Sequence, residues 1–257
     1  MAKWDAGAAA YAGYMVSPAG RYRAALILET LGRHLPSPPL DVLEVGCGLG
    51  ELACTLAERG YRVVAADPSR EMIRQAAQRA ATLPGEARVR LDLQPLEVGQ
   101  VLAQYPPVSF DVLIAHTVLE YLPQAAETFT QLLELLRRGG MVSLVQINQA
   151  SKVLRAALNQ LDFAAARAAV DDRTVLSDTF RLSARTATLT DILDLYRRNG
   201  LSVVGSYGIR VFPDYLPAEV RNDPARQEAL LELERAACGA EPYRSMARYL
   251  HVIGVKA

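Results

Sequence analysis

The chain has 257 residues, 51% of them hydrophobic, and its 28 Lys+Arg are matched by 28 Asp+Glu. A formal charge of zero excludes a protein held to nucleic acid by bulk charge, and equally a membrane-surface protein that depends on a polybasic face. The composition is that of a globule with a sizeable core, in one large domain or two small ones, and no apolar run approaches the ~18 residues needed to span a bilayer. The first residues lack the basic-then-apolar order of a secretory signal. Cys47, Cys54 and Cys238 form no Cys-x-x-Cys pair, and three is not the even count of a disulfide framework. These features point to a reduced, cytoplasmic compartment, no membrane attachment and no metal site.

An N-terminal helical segment, Arg21 to about His34, is set apart by Pro36-Ser-Pro-Pro39. The expected organisation is therefore a helical cap over residues 1–39 and a single domain over 40–257. In that domain the patterns predict a strand at Leu40–Val45, a helix at Glu51–Arg59 closed by Gly60, and a strand at Tyr61–Ala66. Pro68-Ser69 opens a helix running to about Ala81. Strands follow at Arg88–Leu93 and Phe110–Ala115, then a helix at Pro123–Leu136 and a strand at Met141–Ile147. Strands alternating with helices imply a parallel sheet covered on both faces. From Asn148 to Thr188 the rhythm breaks into two short helices, Ser151–Asn159 and Phe163–Val170, and a polar stretch. Those 41 residues are too many for a plain connection, so they are read as a substrate cover inserted after the fifth strand. Helix Thr190–Arg198, strand Leu201–Arg210, helix Pro224–Ala237 and strand Tyr249–Val255 complete the chain.

The sharpest signal lies at the end of the first strand, in Glu44-x-Gly46-x-Gly48-x-Gly50. Glycines there let the backbone pass close beneath a ligand, and the helix N-terminus that follows favours negative groups. A dinucleotide fingerprint needs G-x-G-x-x-G, and here the third glycine comes one residue early. A carboxylate just ahead of the loop would repel a pyrophosphate but suits an ammonium group. Asp67, 21 residues after Gly46, can accept hydrogen bonds from both hydroxyls of a ribose. The combination means a nucleoside with a positive end and no phosphate, a description that S-adenosyl-L-methionine fits. The bland alternative is a tight turn followed by a helix cap.

With Phe110-Asp-Val-Leu-Ile-Ala-His-Thr-Val-Leu-Glu-Tyr and Leu136-Arg-Arg-Gly-Gly-Met-Val-Ser-Leu, the loop and Asp67 resemble the class I S-adenosylmethionine-dependent methyltransferases over about Leu40–Ile147. A narrower resemblance runs over almost the whole chain, to the tRNA 5-carboxymethoxyuridine methyltransferases, which methylate the carboxylate of a modified wobble uridine. It is carried by Gly20-Arg-Tyr-Arg23, Ala115-His116-Thr-Val-Leu-Glu120-Tyr, Asn159-Gln-Leu-Asp-Phe163, Gly208-Ile-Arg210-Val-Phe-Pro-Asp214-Tyr215-Leu, and Ala229-Leu-Leu-Glu-Leu-Glu. Glu241-Pro-Tyr243 and Ala247-Arg-Tyr249-Leu-His251-Val complete it. The chain departs from that pattern at Pro18-Ala19 and at Ala168–Arg173, where the family carries lysines.

The resemblance implies a Rossmann-like α/β fold, with a seven-stranded, mostly parallel sheet, helices on both faces and a helical cover after the fifth strand. It implies that Arg23 meets the cofactor's methionine carboxylate, that Glu44, Gly46, Cys47, Gly48 and Gly50 form the loop beneath it, and that Asp67 holds the ribose. Gln94 and Pro95 would meet the adenine, and His116 would sit near the transferred methyl. An acceptor carboxylate has a pKa near ~4 and needs no general base, so no catalytic acid–base residue is expected. It does need a clamp. Arg210 is the first candidate, because guanidinium binds carboxylate bidentately, with Tyr215, Tyr243, Arg248, Tyr249 and His251 as further ones.

The partner implied is a tRNA anticodon loop. A small anionic metabolite, or a cofactor-binding protein without catalysis, stays open on the residues alone. Charge distribution accommodates either acceptor. Residues 137–210 hold eleven basic residues against six acids, an excess of +5 offset by −5 elsewhere.

Overall fold

The computed structural model describes residues 2–177 and 179–257, apart from the Ala2 side chain. Met1 and Asp178, which enter the reading of the N-terminus and of the cover's charge, lie outside the described residues. The strands are β1 (Asp41–Val45), β2 (Arg62–Ala66), β3 (Leu91–Gln94), β4 (Phe110–His116), β5 (Leu136–Ile147), β6 (Thr174–Leu176), β7 (Ser183–Arg185), β8 (Leu201–Ile209) and β9 (Tyr249–Lys256). The helices up to the fifth strand are α1 (Ala2–Asp5), α2 (Ala8–Val16), α3 (Pro18–Gly32), α4 (Glu51–Glu58), α5 (Arg70–Ala80), α6 (Gly85–Arg88), α7 (Val98–Gln104) and α8 (Ala125–Glu134). After it come α9 (Gln149–Leu158), α10 (Phe163–Asp171), α11 (Leu189–Arg198), α12 (Ala218–Arg221), α13 (Gln227–Ala237) and α14 (Tyr243–Met246).

Seven strands form one sheet in the order β3-β2-β1-β4-β5-β9-β8. The first five are parallel, and β9 runs antiparallel between β5 and β8. Side chains alternate between the two faces, and both are buried, as a parallel sheet requires. Leu43, Val45 and Leu113 face Phe129 and Leu132 of α8 and Tyr196 of α11, while Val42, Val112 and Ile114 face Ala53 and Leu56 of α4 and Leu31 of α3. Local chemistry fixes the helix starts. Ser17 caps α3, with Pro18 at its first position, Ser69 accepts from the Met72 N–H at the head of α5, and Thr188 and Asp191 form a capping box on α11.

Three expectations are corrected. The strand placed at Arg88–Leu93 begins only at Leu91, because Gly85–Arg88 makes a helical turn and Val89 is left exposed. The polar stretch of the cover holds a two-stranded antiparallel hairpin, β6–β7, so the insertion is helical and β in part. Within the helical cap expected over residues 1–39, the helix placed at Arg21 to about His34 starts earlier, at Pro18, and two further helices, α1 and α2, precede it. Connections from β1 lead to β2 on one side, and the chain later returns to place β4 on the other. The crevice of such an α/β sheet opens at the carboxyl ends of those two strands, at Gly46 and His116.

Candidate functional site

The glycine loop is shaped by its backbone. Gly46 and Cys47 both donate their N–H to the Ala66 carbonyl at the end of β2, and Gly48 donates to Asp67 Oδ2 at 2.9 Å. Gly46 and Gly48 have φ of +69° and +54°, a region that L side chains avoid. A Cβ on Gly46 would stand 2.4 Å from Val118 Cγ2, and one on Gly48 would stand 3.0 Å from the Tyr11 ring. The space above the loop therefore exists only because these side chains are missing. Gly50 serves differently: its absent Cβ would meet Ala76, so it lets α4 and α5 pack and does not line the cavity.

Above the loop lies a cavity of about 350 Å³. Asp67 stands in its wall, its other oxygen accepting from the Ser69 N–H at 2.8 Å. Burial pushes its carboxyl up to about 6 against the pull of those two N–H groups. The opposite wall is apolar and comes from Leu96, Val98, Val101 and Leu102. This corrects the expectation for Gln94 and Pro95, neither of which lines the cavity. The Gln94 side chain turns to Asp92, and its carbonyl holds the Asp67 N–H; the wall comes from the residues that follow.

Beneath the loop is a smaller cavity of about 100 Å³ that Glu44, Cys47, Arg23, Tyr11 and His116 help to line. Burial raises the Glu44 carboxyl to about 8, helped by Glu51 and Asp67, and its Oε2 has no hydrogen-bond partner. Such an orphaned buried oxygen wants a donor, and an ammonium group provides one. Burial also lifts the Cys47 thiol well above its usual value, so it is no nucleophile.

A third cavity, of about 290 Å³, meets the first at Tyr11, Thr117, Tyr121 and Phe180. Five arginines reach it: Arg23, Arg155, Arg210, Arg221 and Arg248. Arg23, Arg210 and Arg248 are all under 10% exposed, and their guanidinium carbons lie 5.1, 5.8 and 5.7 Å from the centre of the Tyr249 ring. Arg210 also donates to the Tyr14 hydroxyl and pairs with Asp214, whose Oδ2 is left without a partner. Burial works to raise the Tyr249 phenol, yet Arg248, Arg210 and Arg23 outweigh it and its pKa falls below the usual phenol value. Thr117 and Arg210, both in this wall, have left-handed backbones with φ of 56° and 63°. Strain of that kind persists where the surroundings hold a side chain in place.

Three of the residues expected in the acceptor clamp are not in it. Tyr243 is 44% exposed on α14 and packs against Phe212. Tyr215 spends its hydroxyl on the Met246 carbonyl. His251 is wholly buried in β9, two residues and one strand repeat deeper than Tyr249, and bonds to Thr30 and Ser143. Conversely, Tyr11, Tyr14, Arg155, Phe180 and Arg221 line the cavities although nothing in their sequence surroundings marks them. They converge from α2, the cover and the segment after β8.

Residues 43–142 match the family described as a methyltransferase domain. The chain is 31% identical over 242 residues to the tRNA 5-carboxymethoxyuridine methyltransferase of Escherichia coli strain K12, covering 92% of this chain and 89% of that protein. Its fold resembles an S-adenosylmethionine-dependent methyltransferase from Thermotoga maritima, with a TM-score of 0.65 at 14% identity and 99% of each chain covered. It also resembles magnesium protoporphyrin IX methyltransferase from Synechocystis with bound S-adenosylmethionine, with a TM-score of 0.54 at 16% identity, covering 92% of this chain and 79% of that one. A sheet of this order with the glycine cradle at its switch point is thus that of an S-adenosylmethionine-dependent methyltransferase, and S-adenosylmethionine is its cofactor. Within that class the chain belongs to the family of the tRNA 5-carboxymethoxyuridine methyltransferases. The residues present fit the cofactor: a cradle that a Cβ would fill, a carboxylate in the ribose wall, and an unpartnered acid below the loop. Among the described residues no helix is long and apolar enough to cross a membrane.

Proposed function

We propose that the protein methylates a carboxylate, and that this carboxylate belongs to 5-carboxymethoxyuridine at the wobble position of a tRNA anticodon loop. The observation that carries the reading is the buried excess of positive charge around Tyr249. Among the described residues that line the cavity, Asp214 is the one carboxylate that opposes Arg23, Arg210 and Arg248. Buried guanidinium groups need an anion, and a carboxylate entering from solvent supplies it. Arg155 and Arg221 extend the cationic wall. With the excess of +5 over residues 137–210, a neutral protein presents a locally basic face that suits a few phosphate contacts of a short loop.

When bound, S-adenosylmethionine supplies a methyl carbon made electrophilic by its sulfonium. The chain's own task is to set a nucleophile in line with that carbon, and positioning of this kind lowers a barrier substantially. Arg23 lines both the small cavity and the arginine cavity and donates to Thr117 Oγ1 at 3.1 Å, so it ties the two sites together. Arg210 and Arg248 would grip the carboxylate, and Tyr14 orients Arg210. No proton must leave the acceptor, which is ionised at neutral pH. Trp4, Tyr11, Tyr121 and Phe180 contact one another over the junction and keep water from it.

The test is transfer of labelled methyl to tRNA bearing 5-carboxymethoxyuridine, followed by nucleoside mass spectrometry for the methyl ester. An Arg210→Ala, Asp214→Asn double variant leaves no stranded carboxylate; it is expected to lose acceptor affinity and keep cofactor affinity. Methylation of a small carboxylic acid, with none on tRNA, would replace the macromolecule by a small anionic metabolite. No methyl ester on either would overturn the reading.

A further inference from the structure

Four side chains make a continuous hydrogen-bonded path through the sheet, from α3 to the cofactor crevice. Thr30 Oγ1 lies 2.6 Å from the Leu26 carbonyl and 2.8 Å from His251 Nδ1. His251 Nε2 lies 2.7 Å from Ser143 Oγ, and Ser143 Oγ lies 2.8 Å from His116 Nε2. His116, Ser143 and His251 point to the α3 face from the adjacent strands β4, β5 and β9, and Thr30 meets them from α3 itself. Thr30, Ser143 and His251 are fully buried, whereas His116 lines the cavities above and below the glycine loop.

The direction of each bond follows from proton counting. A carbonyl cannot donate, so the single Thr30 hydroxyl proton goes to Leu26, and Thr30 accepts from His251 Nδ1–H. A second proton on His251 would bury a cation that faces Arg23 and has no carboxylate partner, so the ring is neutral and its Nε2 is a bare acceptor. Burial holds its pKa at about 3, with His34 and Arg23 adding to the effect. Ser143 therefore donates to His251 and accepts from His116 Nε2–H. His116 is itself neutral, because burial, His251 and Arg23 all press its pKa well below the usual value. Its Nδ1 then carries a lone pair.

We infer that Thr30, His251 and Ser143 are positioning residues that lock His116 in its Nε2–H tautomer and present the Nδ1 lone pair to the cofactor crevice as a hydrogen-bond acceptor. An acceptor at the junction of the two cavities, beside Glu44, selects for a ligand with N–H donors there and against one with a carboxylate. Its natural partner in this site is the α-ammonium of the cofactor. This last step rests on the cofactor assignment, whereas the tautomer itself does not.

The path also has a built-in control. Thr30→Val removes the acceptor for His251 Nδ1–H, and a buried N–H without a partner is the less tolerable orphan. The proton moves to His251 Nε2, Ser143 turns to donate toward His116, and His116 becomes the Nδ1–H tautomer. Thr30→Ser keeps the hydroxyl and the original direction.

The experiment is long-range ¹H–¹⁵N correlation of His116 in the cofactor-free protein, with His116→Gln identifying its signals. The expected result is a protonated Nε2 in the parent and in Thr30→Ser, and reversed nitrogens in Thr30→Val. Calorimetry with S-adenosylhomocysteine and its analogue lacking the α-amino group supplies a second readout. The parent and Thr30→Ser should prefer the amine-bearing ligand by about tenfold more than Thr30→Val does. A protonated Nδ1 in the parent, or no change in the tautomer on Thr30→Val, overturns the inference. The expected tautomers with no change in amine preference would overturn the ammonium as the partner. Failure to bind either ligand would instead strike the cofactor reading, since the nitrogen signals do not depend on it.

Discussion

On one side of Thr117 the cavity wall is mainly glycine backbone, the acids Asp67 and Glu97, and aliphatic and aromatic side chains; on the other it is guanidinium and phenol. The first side comes mainly from strand ends and the short turns after them, at Gly46–Gly48, Asp67 and residues 96–102. The second draws Tyr14, Arg23, Arg155, Arg210 and Arg248 from segments scattered over more than two hundred residues. A ligand on the glycine side is recognised by the shape the backbone leaves, and steric fit governs its affinity. On the arginine side it is recognised by charge that the fold has buried, and replacing one side chain there shifts both affinity and the balance of the remaining charges. The contrast matches the tasks: every turnover uses the same cofactor, while the acceptor must be distinguished from other anions.

The largest effect should come from refilling the cradle. Gly46→Ala puts a Cβ against Val118 at a backbone angle costing about 1–2 kcal/mol before the clash is counted. Cofactor Kd by calorimetry should rise on the order of a hundredfold. Cofactor affinity like that of the parent would mean the shape argument is wrong. On the other side, Arg210→Lys keeps the charge facing Asp214 but loses the planar fork. It should reduce acceptor kcat/KM by about thirtyfold and leave cofactor Kd within twofold, about 2 kcal/mol of acceptor recognition. Equal losses for both ligands would erase the division between the cavities.

The pH dependence should separate them as well. The proposed role of Asp67 toward the ribose hydroxyls needs its carboxylate form, and in the free protein it takes up a proton below about pH 6. Cofactor Kd should therefore be flat above that pH and rise about tenfold by pH 5, a dependence that Asp67→Asn removes. The smallest effect concerns Glu120, which is 3% exposed beside Arg23, with both oxygens unpartnered and its pKa raised by burial to about 8. The folded chain keeps this proton after the unfolded chain has lost it, so the group costs stability as pH rises from about 4.5 toward 8. Glu120→Gln should gain a few degrees in Tm at pH 8 and little at pH 5. Equal shifts at both pH values would show the carboxyl to be ionised throughout.

How much of each side could be read in advance follows from how it is built. The glycine loop and Asp67 stand in one contiguous stretch, because strand, turn and helix N-terminus are local structures with local residue requirements. Gln94 and Pro95 fall two and one residues short of the apolar wall that begins at Leu96, because which residue of a turn faces a cavity depends on where the next helix packs. The β6–β7 hairpin went unseen because its strands are three residues long, too short for their alternation of exposed and covered positions to stand out in the sequence. Tyr243, Tyr215 and His251 were drawn into the clamp by proximity in sequence to Arg210 and Tyr249. The strand rise buries His251 beyond the cavity, the Met246 carbonyl takes the Tyr215 hydroxyl, and Tyr243 is left exposed on α14.

The sequence alone determined the alternating α/β order, the strand that carries the cradle, the acid after the second strand and the resemblance that names the family. Each depends on spacing within a few dozen residues, where chain stereochemistry leaves few alternatives. Only the tertiary structure decided that three arginines share one tyrosine ring, that the N-terminal helix α2 supplies Tyr11 and Tyr14, and that His251 serves His116 through Ser143. Those relations join residues as much as 226 positions apart, and their free energy comes from burying charge and hydrogen bonds together, which happens only once the sheet and its covering helices have closed.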